Sequence, residues 1–247
     1  MRTLCERSLE HDNDMYICFV DFEKAFDRVD WVKMLQILKS IGTDWKDRRA
    51  IVNLYMHQKS VVKVMQEYSE ESDIGRGVRQ GCCMSPILFN IYAEAMMIEA
   101  MEGIEEGIRV GGKLINDVRF ADDQGMVANT ETGLQKIMDN LHRTAEQYGM
   151  RINIKKTKVM MVSRRVGQKV NIRINGKSIE QVQSFKYLGS TMTEDGRCGA
   201  EIKIRIAQAK EAFSKRKELL TKRFSNVVKK KIVKTLVWAT LLYGCET

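Results

Sequence analysis

Three aspartates stand where carboxylates could do chemistry. Asp21 follows the apolar run Tyr16, Ile17, Cys18, Phe19 and Val20, while Asp122 and Asp123 sit between two strand-like stretches, Leu114–Phe120 and Gln124–Ala128. An acid at the end of a buried strand and an acid pair at the tip of a hairpin can meet at one edge of a single sheet. Left bare, such carboxylates repel one another. Hard divalent cations relieve the repulsion, and Mg²⁺ is typically held by one or two carboxylates together with substrate phosphates. Two such ions, about 3.5–4 Å apart, stabilise both the attacking and the leaving oxygen of an in-line phosphoryl displacement. Taken singly, the acid pair is a common polar turn and Asp21 an ordinary cap. The combination, with a basic tail, favours the chemistry.

The elements that must position these acids follow from the pattern. Asp30 is placed to cap a helix whose apolar side is Trp31, Leu35, Leu38 and Ile41, with Gly42 as its stop. A second helix is expected over about 45–57, then a strand over Ser60–Gln66 and a loop broken by Gly75, Gly77 and Gly81 that carries Arg76, Arg79 and Gln80. Ser85 is a candidate N-cap, with Pro86 in the first helical position and Gly103 at the end. Leu134, Ile137, Leu141 and Tyr148 share one helical face between Thr130 and Gly149, and short strands are expected near 157–162, 169–174 and 185–189. This mixed order suits an α+β design, a mainly antiparallel sheet with helices packed on one face, better than a parallel doubly wound sheet. From Gly199 the pattern becomes two basic amphipathic helices, the first with the stripe Ile202, Ile206, Ala209, Phe213 and Leu220. A domain boundary is placed near 195.

Composition narrows the partners. The chain of 247 residues has a formal charge of +9, and residues 199–247 hold 12 Lys and Arg against 4 Glu, so nearly all the excess lies in the C-terminal fifth. That asymmetry points to an anionic polymer. Six cysteines at 5, 18, 82, 83, 198 and 245 contain no C-x-x-C pair, and the three histidines stand apart from them, so reduced thiols are expected. No secretory signal or membrane-length apolar run is present, which implies an intracellular protein without a membrane partner.

The residues also resemble a known family. FVDFEKAFDRVD at 19–30, GVRQGCCMSPILFN at 77–90, RFADD at 119–123, GMRINIKKTK at 149–158 and FKYLGS at 185–190 look, in that order, like the motifs of non-LTR (LINE-type) retrotransposon reverse transcriptases. The resemblance implies a right-hand polymerase palm over 1–195, with a remnant of the fingers, and a partial helical basic thumb over 196–247. In that palm Asp21 and Asp122 hold two Mg²⁺ (or Mn²⁺) ions and Asp123 assists. The primer 3′-hydroxyl attacks the α-phosphate of a deoxynucleoside triphosphate along an RNA template, with a DNA primer. Phe26 matches the aromatic that excludes a ribose 2′-hydroxyl, where the competing reading is a core phenylalanine. Phe22, Arg79, Gln80 and Gly81 match nucleotide-contacting positions. Lys156, in the N-x-x-K-T arrangement with Asn153 and Thr157, matches a general acid for the leaving pyrophosphate, against a plain surface lysine. Tyr187, Leu188 and Gly189 match the hairpin that positions the primer. Lys203, Arg205, Lys210, Lys215, Arg216 and Lys217 would grip backbone phosphates without reading sequence.

Two departures qualify the match. Only some twenty residues precede Asp21, where the family has its fingers, and Gln124 replaces the small or apolar residue usual after the acid pair. The competing class is therefore a truncated or domesticated copy that binds nucleic acid through its basic helices without catalysis. Within the enzyme class, a group II intron-type enzyme or a viral RNA polymerase is disfavoured by the KAFD run, the GVRQG loop and Phe26.

Overall fold

The computed structural model describes residues 1–165, 167–197 and 199–243. Strand β1 (Met15–Val20) forms where the apolar run predicts it, with every residue but Tyr16 buried, so Asp21 emerges directly from the core. It pairs antiparallel with β3 (Asp123–Ala128), setting Val20 against Gln124, and β3 pairs antiparallel with β2 (Asp117–Phe120), setting Phe120 against Asp123. β4 (Lys158–Val162) and β5 (Glu180–Gln181) complete a five-stranded sheet in the order β5-β4-β1-β3-β2. The β4–β5 pair is parallel, so the sheet is mainly but not wholly antiparallel.

Helices α1 (Arg2–Glu10), α2 (Trp31–Ser40), α3 (Trp45–Tyr55), α4 (Ser85–Met101), α5 (Glu131–Gln147) and α6 (Gly199–Ser214) supply the rest of the frame. Asp30 caps α2 by accepting from the Lys33 amide at 2.8 Å, and Thr130 caps α5 by accepting from Gly133 at 3.0 Å. α4 buries Leu88, Phe89, Tyr92, Met96 and Met97, and α5 buries Leu134, Ile137, Met138 and Leu141. Full burial of each such side chain stabilises by about 1.5–3 kcal/mol. The Tyr92 hydroxyl, inside this core, donates to the Tyr148 carbonyl at 2.6 Å, so the buried oxygen is satisfied.

Several expectations are corrected. Met84, not Ser85, precedes α4, and the Ser85 hydroxyl is instead buried against the Tyr55 hydroxyl at 3.2 Å. The buried side of α2 is Trp31, Met34, Ile37 and Leu38, while Ile41 lies past its end and is 59% exposed. The single strand expected over Ser60–Gln66 is an exposed ribbon of two short ladders, Lys59–Ser60 with Ser72–Asp73 and Lys63–Val64 with Glu67–Tyr68, because the chain turns at Met65 with φ +54°. Near 169–174 only Arg173–Ile174 is a strand, and it pairs with Lys177–Ser178 outside the main sheet.

The chain divides into two units, one of Tyr16–Val159 with Lys169–Gln181, the other of Met1–Met15, Met160–Gln168 and Val182–Thr247. The position near 195 expected as a boundary falls inside the second. That unit holds α1, the hairpin of β6 (Ser184–Tyr187) and β7 (Ser190–Thr193), α6, and the short helices Lys217–Thr221, Asn226–Ile232, Val233–Trp238 and Ala239–Leu241. The apolar stripe of α6 is not a buried face, since Ile202, Ile206 and Phe213 are exposed and only Glu201 and Ala209 are buried. Cys5, Cys18, Cys82 and Cys83 are free thiols, and burial pushes Cys5 up to about 12 and Cys18 higher, so both stay protonated. Cys198 and Cys245 lie outside the described residues. Among the described residues no helix is long and apolar enough to cross a membrane.

Candidate active site

The acid pair is presented by a two-residue turn, Ala121–Asp122, which the Phe120–Asp123 register closes with Ala121 at φ +54°. The register that sets Val20 against Gln124 brings Asp21, one residue on, alongside Asp123. Electrostatics agree with this placement. The Asp123 carboxyl is pushed above the ordinary range by partial burial, then by the charges of Asp122 and Asp21.

Asp21 is fixed from the far side by the segment 153–157. Its amide donates to the Thr157 hydroxyl at 3.3 Å, its carbonyl accepts from the Asn153 amide at 2.7 Å, and Thr157 itself is fully buried. That turn carries Lys156, whose ammonium lies 3.9 Å from one Asp21 carboxylate oxygen, Oδ2. Oδ1 is buried and has no hydrogen-bond partner among the described residues. Among the described residues no three or more His, Cys, Asp and Glu side chains enclose a common point. The donor set nevertheless fits a hard cation of the Mg²⁺ kind. It offers oxygen ligands only, one of them desolvated and unpartnered, in a group whose repulsion a cation would relieve, and such ions complete their shell with substrate and water.

Phe26 lies five residues beyond Asp21 on a short 3₁₀ turn, Ala25–Arg28, and stacks on Phe89 of α4 with ring centroids 4.5 Å apart and planes 16° from parallel. One of its faces is thus backed by the core and the ring is only half-buried. The glycine-rich loop is pinned to the same turn. The Gly77 amide donates to Val29 at 2.8 Å, the Val78 amide to Phe26 at 2.8 Å, and the Trp31 indole N–H to the Gly77 carbonyl at 2.7 Å. Gly77 has φ +92°, and a Cβ there would sit 3.0 Å from the Asp27 backbone. Arg79, Gln80 and Gly81 follow on the exposed rim, with Arg79 donating to the Gln58 side chain at 3.1 Å.

An open pocket of about 530 Å³ beside Asp21 is lined by Phe22, Lys24, Arg28, Arg76, Asn153 and Lys156, with Glu23 and Asp27 also on its wall. Phe22 is mostly core, 7% exposed and bridged through its backbone to Ile152. The sequence reading placed Arg76 on the loop without giving it a role, and passed over Lys24. Their signal was position, one between Asp21 and Phe26 and the other just before Gly77. Gln124 is buried, and its Oε1 has no hydrogen-bond partner among the described residues.

The turn Tyr187–Leu188–Gly189 belongs to the second unit, where Tyr187 is buried and Leu188 partly exposed. Of the cations predicted to meet phosphate, Lys203, Lys210, Lys215 and Lys217 are exposed, Lys215 being paired with Glu211 at 2.6 Å, and Arg216 is half-buried against the Ala212 carbonyl. Arg205 departs from the expectation: its guanidinium is turned inward, with only 14% of the side chain exposed.

A helix-packed α+β sheet with carboxylates gathered at one edge is the palm of a right-hand polymerase. Residues 1–192 match the family described as reverse transcriptase (RNA-dependent DNA polymerase), and the chain belongs to that family. It is 28% identical over 199 residues to the Retrovirus-related Pol polyprotein from type-2 retrotransposable element R2DM of Drosophila melanogaster, covering 77% of this chain and 19% of that one. It is 26% identical over 183 residues to the RNA-directed DNA polymerase from mobile element jockey of the same organism, covering 70% and 19%. The chain thus spans about a fifth of the length of these curated relatives. Among solved structures, apo telomerase from Candida tropicalis superposes with a TM-score of 0.56 at 12% identity, covering 99% of this chain and 44% of that one, a likeness of fold.

Proposed function

We propose that this chain carries the palm, over 1–195, and part of the thumb, over 196–247, of an RNA-directed DNA polymerase that extends a DNA primer on an RNA template. The observation that supports it best is the placement of Asp21 alongside Asp123, with an unpartnered buried oxygen on the first and a raised carboxyl on the second. Asp21 and Asp122 would hold two Mg²⁺ or Mn²⁺ ions, with Asp123 assisting. Such ions lower the cost of charge on the attacking and leaving oxygens. The protein's own part is orientation. Phe26, braced by Phe89, forms a wall against which a deoxyribose fits and a 2′-hydroxyl collides. Gln80 and Gly81 border the nucleotide, and Arg79 stands nearby. Lys156 is poised to give a proton to the departing pyrophosphate, a contribution typically worth about 10²–10⁴ in rate.

The test is primer extension by the purified chain on a polyribonucleotide template with Mg²⁺ or Mn²⁺. Deoxynucleotide incorporation is expected, abolished by Asp122→Ala with Asp123→Ala, and Phe26→Val should admit ribonucleotides. Incorporation that survives the double substitution would sink the proposal. Salt-sensitive nucleic-acid binding without any incorporation would favour the competing reading, a catalytically incomplete nucleic-acid-binding copy.

A further inference from the structure

The turn joining β6 to β7 is strained. Tyr187 pairs with Ser190 across it, so Leu188 and Gly189 are its two central residues, and both have positive φ, +47° and +79°. A two-residue turn of this kind favours Asn-Gly or Gly-Gly, because a leucine in the left-handed region is sterically penalised. Something outside the turn must hold it.

Two side chains do so. The Tyr243 hydroxyl donates to the Leu188 carbonyl at 3.1 Å, and an Arg205 Nη donates to the Gly189 carbonyl, so both carbonyls of the turn are capped. Arg205 lies over the Tyr243 ring, 4.7 Å from its centroid. Its Nε donates to Glu201 at 2.6 Å, and its other Nη to the Gln208 side chain at 3.3 Å. Glu201, 5% exposed, accepts from the Thr191 amide at 2.9 Å through its second oxygen. Three of the five guanidinium N–H donors are therefore committed, to Glu201, Gly189 and Gln208, which leaves no nitrogen of the planar fork without a partner in the protein and less of it to grip a phosphate.

We propose that Arg205 is a positioning residue: it latches the Tyr187–Gly189 turn to α6, so that a shift of this helix is passed to the turn that sets the primer end. The proposal rests on the polymerase reading for the word primer, while the latch itself is local. It requires the arginine fork, since a lysine has one nitrogen to offer three acceptors.

Arg205→Lys and Arg205→Ala are compared with Lys203→Ala, an exposed cation on the same helix. Both Arg205 variants are expected to raise the primer–template KM by about tenfold, on the scale of one charge-assisted hydrogen bond, with kcat for nucleotide addition little changed. The slope of log affinity against log salt should stay as in the unsubstituted chain, whereas Lys203→Ala should shallow it by about 0.7–0.9. Amide exchange at Gly189, Ser190 and Thr191 should quicken in Arg205→Lys. Leu188→Asn, which tolerates the left-handed region, should slow it again in that background. If Arg205→Ala does not fold, Arg205→Lys and the milder Tyr243→Phe carry the exchange measurement. An Arg205→Lys chain with normal primer KM and normal exchange overturns the latch, as does a salt slope reduced like that of Lys203→Ala. A chain that neither binds nor extends primer would sink the polymerase reading alone, and the exchange comparison then decides the latch by itself.

Discussion

Asp123 shows how a single residue can be tuned against stability. Its carboxyl is raised above its ordinary value by burial and by Asp122 and Asp21, so the folded state holds that proton more tightly than the unfolded chain does. The sign follows. The fold is favoured below the ordinary carboxylate range, and this advantage is lost as the pH rises through the raised value. At neutral pH the ion-free site therefore carries repulsion that Asp123→Asn removes. Because the carboxyl is largely exposed, the gain should be under about 1 kcal/mol, a rise in Tm of at most about 2–4 °C. Thermal unfolding with and without Mg²⁺ checks it: the ion should raise Tm in the unsubstituted chain and do so less in the variant. A lowered Tm for Asp123→Asn, with no response to Mg²⁺ in either chain, would contradict the account. The three acids were legible in the sequence because a buried strand and a hairpin tip are both local patterns. The orphan oxygens of Asp21 and Gln124 were not, since they depend on what packs around them.

At the scale of elements, the glycine-rich loop and the 3₁₀ turn act as one piece, stitched by the hydrogen bonds of Gly77, Val78 and Trp31. Gly77→Ala places a Cβ 3.0 Å from Asp27 at a φ that alanine resists, so it should destabilise by about 1–3 kcal/mol. Denaturant unfolding measures this, and the same variant should impair nucleotide use because Gln80 and Phe26 lose their common support. An alanine tolerated without cost would mean that the loop is not held there. Strands β1 and β3, α5 and the cap at Asp30 could be read from apolar runs and capping residues. The exposed ribbon over 59–73 could not, because Val61, Val62 and Val64 have strand propensity whether or not anything covers them. Arg205 misled for a related reason: a cation among lysines on a helix looks like a solvated charge until its buried acid is seen.

For the whole molecule, the charge asymmetry makes a quantitative statement. Lys203, Lys210 and Lys217 are exposed in the basic C-terminal stretch, and replacing all three by alanine should lower the salt slope of nucleic-acid binding by roughly 2–3, evenly across sequences. Affinity titrations at several salt concentrations test it, and an unchanged slope would show that phosphates are met elsewhere. This bias was plain from residue counts alone. The division into two units of non-consecutive chain was not, because it depends on which distant segments pack together.

The ring of Tyr243 occupies the space into which any side chain at position 189 would project, with its nearest atom 3.1 Å from where a Cβ would stand. What position 189 can hold is therefore limited by what stands at position 243. A lineage that trades the glycine for a larger residue must give up the aromatic, and with it one cap of the turn. The aromatic, by contrast, can be replaced by a smaller residue while the glycine stays, so the constraint runs in one direction.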